Sequence, residues 1–340
     1  MYIHGDLPSM SVPDELRRYV PRTDLYDSYD LIHYHMPVEQ PPATASYIIF
    51  RKGNKIYAKN GVYGHIEFED TDPTSVIQNA ANSLGETGGK ILIRNGTYLI
   101  NDTILLSKKT IIEGESEDAI LKAGSGLAED AYILDLNETA ETLIGHVNIK
   151  TLRIDCNGTA NGINLTNITA SYLEDIVIAN IKTTGILVDY NGTKPPTAAK
   201  TPGGIYILNS RFSPASGQNP TAISINYSTQ NWISSCWFVS NFGICIKIYD
   251  SNKIRIMGNE MNYWTDTAIS LDSDGNPETK ETIIVGNWMV SGANSAVKGV
   301  EEISNTDRTL VACNIIRTYT SGNEVILTGT NSLDANNIKS

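Results

Sequence analysis

The stretches IRIMGN (254–259), IIVGN (283–287) and LVACN (310–314) decide the fold, because they repeat one phrase at a nearly constant interval. Each consists of two or three alternating apolar residues, a small residue, and then Asn or Cys. The full series ends at Cys156, Asn180, Asn209, Cys236, Asn259, Asn287, Asn314 and Asn336, at intervals of 22 to 29 residues by subtraction. Such intervals are typical of solenoid repeats, in which each unit must stack on its neighbours to bury its apolar face.

A second phrase keeps step with the first and predicts a short strand. Examples are TGILV (184–188), TAISI (221–225) and TAISL (267–271), in which a small residue precedes period-2 alternation. Asn tolerates the left-handed backbone of a corner, and inward amides can bond to one another along an axis. We therefore predict an all-β fold, a right-handed parallel β-helix, whose hand follows from the general crossover preference.

The composition limits the classes of partner. The formal net charge of −12 over 340 residues argues against nucleic acid and against an anionic membrane surface. No apolar run approaches about 18 residues, so no membrane insertion is predicted. The first twenty residues lack the apolar core of a secretory signal, so either a signal precedes residue 1 or export follows another route.

The four cysteines are predicted to be free thiols. Cys156, Cys236 and Cys313 fall on coils that are not adjacent, and this separation exceeds the reach of a disulfide. The alternation in FGICIKI predicts that Cys245 points outward. Because no CxxC pair or nearby His accompanies them, we expect no metal site and no cofactor.

Three segments are predicted along the chain. Residues 1–45 carry Pro, Tyr and scattered acids without a period and are expected to form an extended N-terminal arm. Residues 46–90 contain YIIFRKGNKIYAKN (47–60), a hairpin pattern, and then a helix capped by Thr71 or Asp72. Residues 91–340 are expected to form the parallel β-helix. No segment that would close its C-terminal end is evident.

The order of residues in the second segment and the first coils resembles the opening of the pectin-lyase-like superfamily. That superfamily includes phage tailspikes and secreted polysaccharide-active enzymes. The matching residues are Asp72, Val76, Ile77, Gln78, Ala80, Gly88, Gly89, Ile91, Ile93, Gly96, Tyr98, Ile112, Glu113, Gly114, Glu115 and Ser116. The resemblance covers roughly residues 68–338, and it implies a capped β-helix that acts on or binds polysaccharides.

The catalytic motifs that the resemblance would imply are not found in this sequence. All five His residues lie at positions 4, 33, 35, 65 and 146, so the hydrolase pattern with a late His is missing. The stretch DSDGN (272–276) departs from a calcium loop in the place of its Gly and is predicted to be a solvated turn. If the chain is an enzyme, the catalytic candidates are Glu260 and Asp266. Other acids, such as Asp189 and Asp250, are predicted to be outward or corner residues that contribute to solubility.

An aromatic group is the strongest surface feature. If the Asn/Cys column points inward, the following residues point outward: Ser210, Trp237, Glu260, Trp288 and Ile315. Tyr263 and Trp264 lie just beyond. Aromatic faces beside a carboxylate suit sugar rings, so Trp237, Glu260, Tyr263, Trp264 and Trp288 are predicted to bind a glycan. The alternative is that the tryptophans pack against a neighbouring subunit or the N-terminal arm.

Eight N-x-[ST] sequons have two interpretations. Their asparagines are Asn95, Asn101, Asn137, Asn157, Asn164, Asn167, Asn191 and Asn226. They are glycosylation candidates on an exterior surface, or they are corner residues beside Thr and Ser.

Together these patterns predict an extracellular or virion-surface protein, a structural or adhesion component such as a spike, fibre or coat subunit that binds a polysaccharide or cell-surface glycan. A homo-oligomer, or attachment to other surface subunits, is expected through residues 1–45 and the C-terminal coil. The alternative is a polysaccharide lyase or glycoside hydrolase with a non-standard active site on the β-helix face.

Overall fold

The computed structural model describes residues 44–106, 109–137, 143–239, 241–275, 279–291, 297–318 and 323–339. They belong to one compact unit that begins at Thr44. In the described part of the chain, three sheets (A, B and C) consist mostly of parallel strands, and successive coils place one strand in each sheet. This arrangement confirms the predicted parallel β-helix. The predicted arm, residues 1–45, lies outside the described residues except for its last two, and the boundary at residue 90 stays a prediction.

The strands of each sheet follow one another from the N-terminal end of the stack. Sheet A contains Ile66–Asp70, Lys55–Asn60, Tyr47–Lys52, Gly89–Ile93, Thr110–Gly114, Ile144–Gly145 with Asn148–Lys150, Ile168–Glu174, Gly203–Leu208, Trp232–Ser234, Arg255–Met257, Ile283–Val285, Leu310–Ala312 and Leu333–Ala335. Sheet B contains Gly96–Ile100, Ala119–Ala123, Arg153–Asp155, Val177–Ile181, Arg211–Pro214, Trp237–Phe238, Glu260–Asn262, Trp288–Val290, Ile315–Arg317 and Ile338–Lys339. Sheet C contains Ile104–Leu105, Tyr132–Asn137, Asn161–Thr166, Thr184–Asp189, Thr221–Asn226, Ile244–Tyr249, Thr267–Asp272, Lys298–Glu302 and Val325–Ile326. A separate pair is Thr279–Lys280 with Thr306–Asp307.

A hairpin and a helix cover the N-terminal end of the stack. The hairpin strands Tyr47–Lys52 and Lys55–Asn60 pair antiparallel, and the first of them pairs parallel with Gly89–Ile93. Helix α1, Pro73–Ser83, is capped by Asp72, whose carboxylate accepts from the Thr74 amide. The Gln78 side chain donates to the Leu105 carbonyl (2.9 Å) and accepts from its amide (2.8 Å). The helix therefore satisfies strand groups that would otherwise form a bare edge.

The corner between sheets A and B is built from two consecutive residues in each coil. The first adopts a left-handed conformation, with φ of 49° at Asn209, 56° at Ser235, 64° at Gly258, 69° at Gly286, 55° at Cys313 and 54° at Asn336. The second points into the core, which places Ser210, Cys236, Asn259, Asn287, Asn314 and Asn337 in one column. We call Asn259, Asn287, Asn314 and Asn337 the amide ladder.

Hydrogen bonds run the length of the amide ladder. Both the backbone amide and the Nδ2 of Asn259 donate to Oδ1 of Asn287, at 2.9 and 3.0 Å. Asn287 donates to Asn314 in the same way (2.8 and 2.9 Å), and Asn314 to Asn337 (2.7 and 2.9 Å). The prediction that inward amides stack along the axis is therefore confirmed. The predicted column of Asn and Cys residues is only partly correct, because some of its members do not occupy the inward position.

The register errors have a local cause. Asn209 and Asn336 occupy the left-handed position, one residue before the column. Cys156 directly follows the strand Arg153–Asp155, and Asn180 lies within the strand Val177–Ile181. Both residues are therefore at the other end of sheet B. In those coils the column holds Leu152 and Ile176, which are buried. The N-terminal part of this corner is therefore apolar, and only the C-terminal part carries the ladder.

The cysteines are free, and three of the four are buried. Cys245 is completely buried, so the prediction that it points outward is wrong. It directly precedes Ile246, which pairs with Ile223 and Ile269, and it therefore shares a small inward position with Ala222 and Ala268. Burial raises the pKa of its thiol. Cys313 is exposed at its corner.

The last described coil carries charged residues at two inward positions. Asp334 pairs in register with Val311, and Lys339 with Ile316, so both occupy positions that are apolar and inward in the preceding coil. The Asp334 carboxylate accepts from Asn337 (2.6 Å) and forms an ion pair with Lys339. Inward charges of this kind discourage edge-to-edge association, because a second apolar coil stacked there would bury them.

Candidate functional site

Three outward residues lie in register on consecutive coils of sheet B. Trp237 pairs with Glu260, and Glu260 pairs with Trp288. Each follows an inward member of the corner column, so the alternation of the strand turns it outward. The row continues at its ends with Arg211 and Ile315. Ser210, predicted as the outward residue of its coil, is instead buried in the column, and Arg211 takes its place.

We call Trp237, Glu260 and Trp288 the tryptophan strip. The two indoles are 44% and 45% exposed, and neither stacks on another ring of the described residues. They lie two coils apart, which corresponds to about 10 Å between their strands. Glu260 lies between them. The arrangement provides two uncovered aromatic surfaces with a carboxylate midway.

A hydrogen bond holds the Glu260 carboxylate, and no cationic side chain neutralises it among the described residues. Oε1 accepts from Nδ2 of Asn262 at 2.8 Å, and this amide lies two residues along the same outward face. Within the described ranges, Glu260 forms no ion pair. Asn262 therefore fixes the orientation of the carboxylate, which can still accept hydrogen bonds from a ligand.

Tyr263 and Trp264, which follow the strip, separate at a bend. Tyr263 is 53% exposed and has a left-handed φ of 55°. Trp264 is 1% exposed, and its Nε1 donates to the Lys298 carbonyl at 2.7 Å. The prediction that Trp264 binds a glycan is therefore wrong, because the left-handed residue before it turns the indole into the core.

The two catalytic candidates lie in different parts of the coil. Glu260 begins the sheet B strand Glu260–Asn262, whereas Asp266 precedes the sheet C strand Thr267–Asp272. Asp266 is exposed, and its carboxylate accepts from the Thr267 hydroxyl at 3.3 Å. The corner between sheets B and C therefore separates the two residues along the chain.

A second aromatic row, absent from the sequence-based predictions, lies on the outer face of sheet A. Tyr172, Tyr206 and Trp232 are in register on consecutive coils, followed by Arg255. The ring centroids are 4.7 Å apart for the two tyrosines and 6.1 Å for Tyr206 and Trp232, with interplanar angles of 9° and 20°. The Arg255 guanidinium lies 4.8 Å from the Trp232 centroid. We call these three rings the ring stack.

Two acids predicted to be solubilising are not fully solvated. Asp250 is buried at a corner, and its Oδ1 accepts from the Ser273 hydroxyl (2.5 Å) and the Asp274 amide (3.1 Å). Burial is the main cause that raises the pKa of this carboxyl, and the same holds for half-buried Asp189. In the described part of the chain, no group of three His, Cys, Asp or Glu residues is placed to hold a metal ion.

The sequons divide by burial. Asn164 and Asn167 are buried, and their Nδ2 atoms donate to Asp135 (2.8 Å) and to Asn191 (2.6 Å). Glycosylation at these two positions is therefore contradicted, since a glycan needs an exposed amide nitrogen. Asn157 and Asn167 have left-handed φ values of 54° and 61°, as corner residues do. For the remaining sequons, glycosylation stays a prediction.

Comparison with known proteins gives similarity of fold without similarity of sequence. No protein-family model and no curated protein matches the chain. Among solved structures, the endo-xylogalacturonan hydrolase from Aspergillus tubingensis is 15% identical, with 72% of this chain and 70% of that chain covered and a TM-score of 0.55. A tailspike mutant of E. coli bacteriophage HK620, in complex with a hexasaccharide, is 14% identical over 79% of this chain and 59% of its own, with a TM-score of 0.55.

The pre-mature gene product 12 of bacteriophage phi29 is 15% identical, with 72% of this chain covered and a TM-score of 0.56. This chain spans 36% of that protein. At these identities the similarities establish the β-helical fold alone. No helix in the described ranges is long and apolar enough to cross a membrane.

Proposed function

We propose that this protein is a structural or adhesion component of an external surface, such as a virion spike, fibre or coat, and that it binds glycans through the tryptophan strip. One observation carries the proposal: Trp237 and Trp288 leave their rings half-exposed on either side of Glu260, which lacks a cationic partner among the described residues. Indole faces stack on the C–H faces of sugars, and an oriented carboxylate accepts hydrogen bonds from their hydroxyls.

The other features of the strip are consistent with carbohydrate as the ligand. Exposed Tyr263 lies close beyond it in the chain and adds a third aromatic side chain. A net charge of −12 disfavours nucleic acid as a competing partner for the aromatic surface. The tailspike with the same fold was solved with a bound hexasaccharide, which supports the proposal by analogy.

Assembly with further subunits belongs to the same proposal, as does an extracellular or virion-surface location. The predicted contacts are residues 1–45 and the C-terminal coil. The charged interior of that coil favours lateral packing over end-to-end stacking. An outward row of Ile283, Leu310 and Leu333 on sheet A offers an apolar surface for such lateral contact.

A carbohydrate array probed with the purified chain tests the proposal. The wild type should bind a subset of glycans, and the Trp237→Ala/Trp288→Ala variant should lose that binding. Tyr63→Ala removes a 71%-exposed tyrosine from the hairpin region and is the matched control that should bind normally. An array without any bound glycan, or equal binding by the double variant, contradicts the proposal.

The enzymatic alternative has its own test. A lyase or hydrolase would release unsaturated uronates or reducing ends from a polysaccharide panel. Because the corner between sheets B and C separates Glu260 from Asp266, we expect no release that depends on both. Release that is lost in both Glu260→Gln and Asp266→Asn would establish the enzyme and overturn the adhesion proposal.

A further inference from the structure

An open cleft of about 500 Å³ lies where the N-terminal hairpin meets the first corner between sheets A and B. It is lined by Phe50, Arg51, Arg94, Asn95 and Glu115. Pairing along three adjacent strands of sheet A ends one residue before Phe50, Arg94 and Glu115, so these residues lie next to one another. The strand register therefore brings an aromatic ring, two guanidinium groups and a carboxylate to one cleft.

Hydrogen bonds hold both guanidinium groups of the cleft in place. Nη2 of Arg51 donates to the Thr97 carbonyl at 2.6 Å. Nε of Arg94 lies 2.8 Å from Oε1 of Glu115. Burial raises the pKa of the Tyr98 hydroxyl to about 12, and both guanidinium groups act on this hydroxyl in the opposite direction. The two cations therefore lie near the same buried ring and near one another.

The charges of the cleft favour an anion. Arg94 is paired with Glu115, whereas Arg51 forms no ion pair with any described residue, so the lining has a net charge of +1. A guanidinium has five N–H donors, and the Thr97 carbonyl occupies one of those of Arg51. Planar guanidinium groups bind carboxylate, sulfate and phosphate oxygens through such donors. The cleft is therefore suited to an anionic group on its ligand.

The remaining walls of the cleft suit a sugar ring. One face of half-buried Phe50 packs on Tyr57, with ring centroids 5.4 Å apart, and no other ring or cation among the described residues stacks on it. Oδ1 of Asn95 accepts from the Ser116 hydroxyl at 2.9 Å, and its Nδ2 has no acceptor in the described ranges. The second oxygen of Glu115 accepts from the Asn95 amide at 3.0 Å. An aromatic face with amide and carboxylate groups beside it can bind the C–H face and the hydroxyls of a sugar.

We propose that this cleft binds one acidic sugar residue, which is a sugar ring that carries a carboxylate or a sulfate or phosphate ester. The anionic group lies between Arg51 and Arg94, and the ring packs against Phe50. The ring hydroxyls form hydrogen bonds with Asn95 and Glu115. A neutral sugar lacks the charge for the two guanidinium groups, and a small anion lacks the ring, so each should bind more weakly.

The site goes beyond the proposed function and does not rest on it. Thr97, whose carbonyl holds Arg51, is in the same row of sheet B as Trp237, five coils away. Five coils correspond to about 24 Å. A single sugar residue cannot span this distance, so monosaccharides test the cleft separately from the tryptophan strip.

Saturation-transfer-difference NMR on the full chain tests the cleft, with methyl glucuronide, glucose 6-sulfate and glucose 6-phosphate as acidic ligands and methyl glucoside as their neutral counterpart. At least one acidic sugar should bind about tenfold or more tightly than methyl glucoside. Arg51→Gln and Arg94→Gln should each weaken that binding by about tenfold or more, the scale of one charged hydrogen bond. Lys52→Gln removes the same charge from an exposed neighbour outside the cleft, and as the matched control it should change the affinity by less than about twofold. Thermal melts of all variants monitor folding.

Three results would overturn the site: no saturation of any acidic sugar, equal affinity for methyl glucoside, or an equal loss in Lys52→Gln and Arg51→Gln. A further measurement needs no variant. Acetate at the concentration of the acidic sugar should not displace it, and displacement would contradict recognition of the sugar ring.

The strip variant separates the two proposals. Trp237→Ala/Trp288→Ala should keep the signal of the acidic sugar, whatever its result on the glycan array. A signal that this variant abolishes would place the binding on the tryptophan strip and overturn the cleft.

Discussion

The tryptophan strip and the ring stack place the same kinds of side chain on two sheets, with opposite consequences. In the ring stack the aromatic residues occupy adjacent coils, and centroids 4.7 and 6.1 Å apart cover one another's faces. In the strip, Trp237 and Trp288 occupy alternate coils, and Glu260 keeps them apart. Spacing counted in coils therefore decides whether an aromatic row stabilises a solenoid or stays available for a ligand.

The amide ladder holds successive coils in register and so aligns the aromatic rows on both sheets. Each inward Asn sits between a sheet A strand and a sheet B strand, and it holds the next coil in register through two bonds to one oxygen. Asn287 also donates to the Ile256 carbonyl at 3.0 Å. If the ladder fails, the rows on both sheets lose their alignment.

The largest effect is expected from breaking the ladder. Asn287→Ala leaves the Asn259 backbone amide buried without its acceptor and removes the rung between Asn259 and Asn314, so the free energy of unfolding should fall by about 3 kcal/mol. Urea denaturation measures this change. Asn262→Ala, which removes only a bond to Glu260, is the control and should cost under about 1 kcal/mol. Equal losses in the two variants would show that the ladder has no special role.

Next in size is the loss of one ring from the strip. Trp288→Ala should weaken binding of the glycan selected on the array by about 2 kcal/mol, or roughly 30-fold in Kd, because an aromatic surface no longer packs on the sugar. Isothermal titration calorimetry gives the Kd. The unfolding free energy should hardly change, since the indole is half-exposed. Unchanged affinity together with lower stability would instead favour a packing role for Trp288.

The matched change in the ring stack should have the reverse outcome. Tyr206→Ala removes two ring contacts, so the unfolding free energy should fall by about 1–2 kcal/mol. Binding to the strip should stay at the wild-type Kd, because Tyr206 is on another sheet. A loss of affinity as large as that of Trp288→Ala would contradict the assignment of separate roles to the two faces.

The sharpest test of spacing is Glu260→Phe. A ring on the middle coil would put aromatic residues on three adjacent coils of sheet B, as in the ring stack. We expect stability to rise by about 1 kcal/mol while glycan binding is lost, because the rings now cover one another. Thermal melts and calorimetry report the two quantities. Retained binding would mean that neither the spacing nor the carboxylate matters.

The fold could be predicted from the sequence because every coil repeats both the alternation and a corner residue. The register could not be fully predicted, since Asn serves two positions at the same corner. Asn209 and Asn336 use the tolerance of Asn for a left-handed backbone, whereas Asn259 and Asn287 use its amide as both donor and acceptor. A phrase that ends in Asn does not distinguish these two uses.

The site was predictable to the same extent. Trp237, Glu260 and Trp288 directly follow Cys236, Asn259 and Asn287, which were correctly predicted to point inward. The repeated sequence phrase therefore predicted that the three residues point outward in one row. Trp264 could not be placed, because the left-handed backbone at Tyr263 reverses the alternation after it. The ring stack was missed although a signal existed: Tyr206, Trp232 and Arg255 each precede the inward Ile of their phrases. Only the pairing of strands shows that they touch.

Contact between the glycan and the strip can be measured directly, because the chain has four tryptophans and only two of them belong to the strip. The ¹⁵N-indole spectrum, recorded during titration with a glycan selected on the array, should show shifts for Trp237 and Trp288. Trp232, covered by Arg255 and Tyr206, and buried Trp264 should stay in place. Shifts confined to Trp232 and Trp264, or absent from both strip residues at saturation, would show that the glycan does not contact the strip.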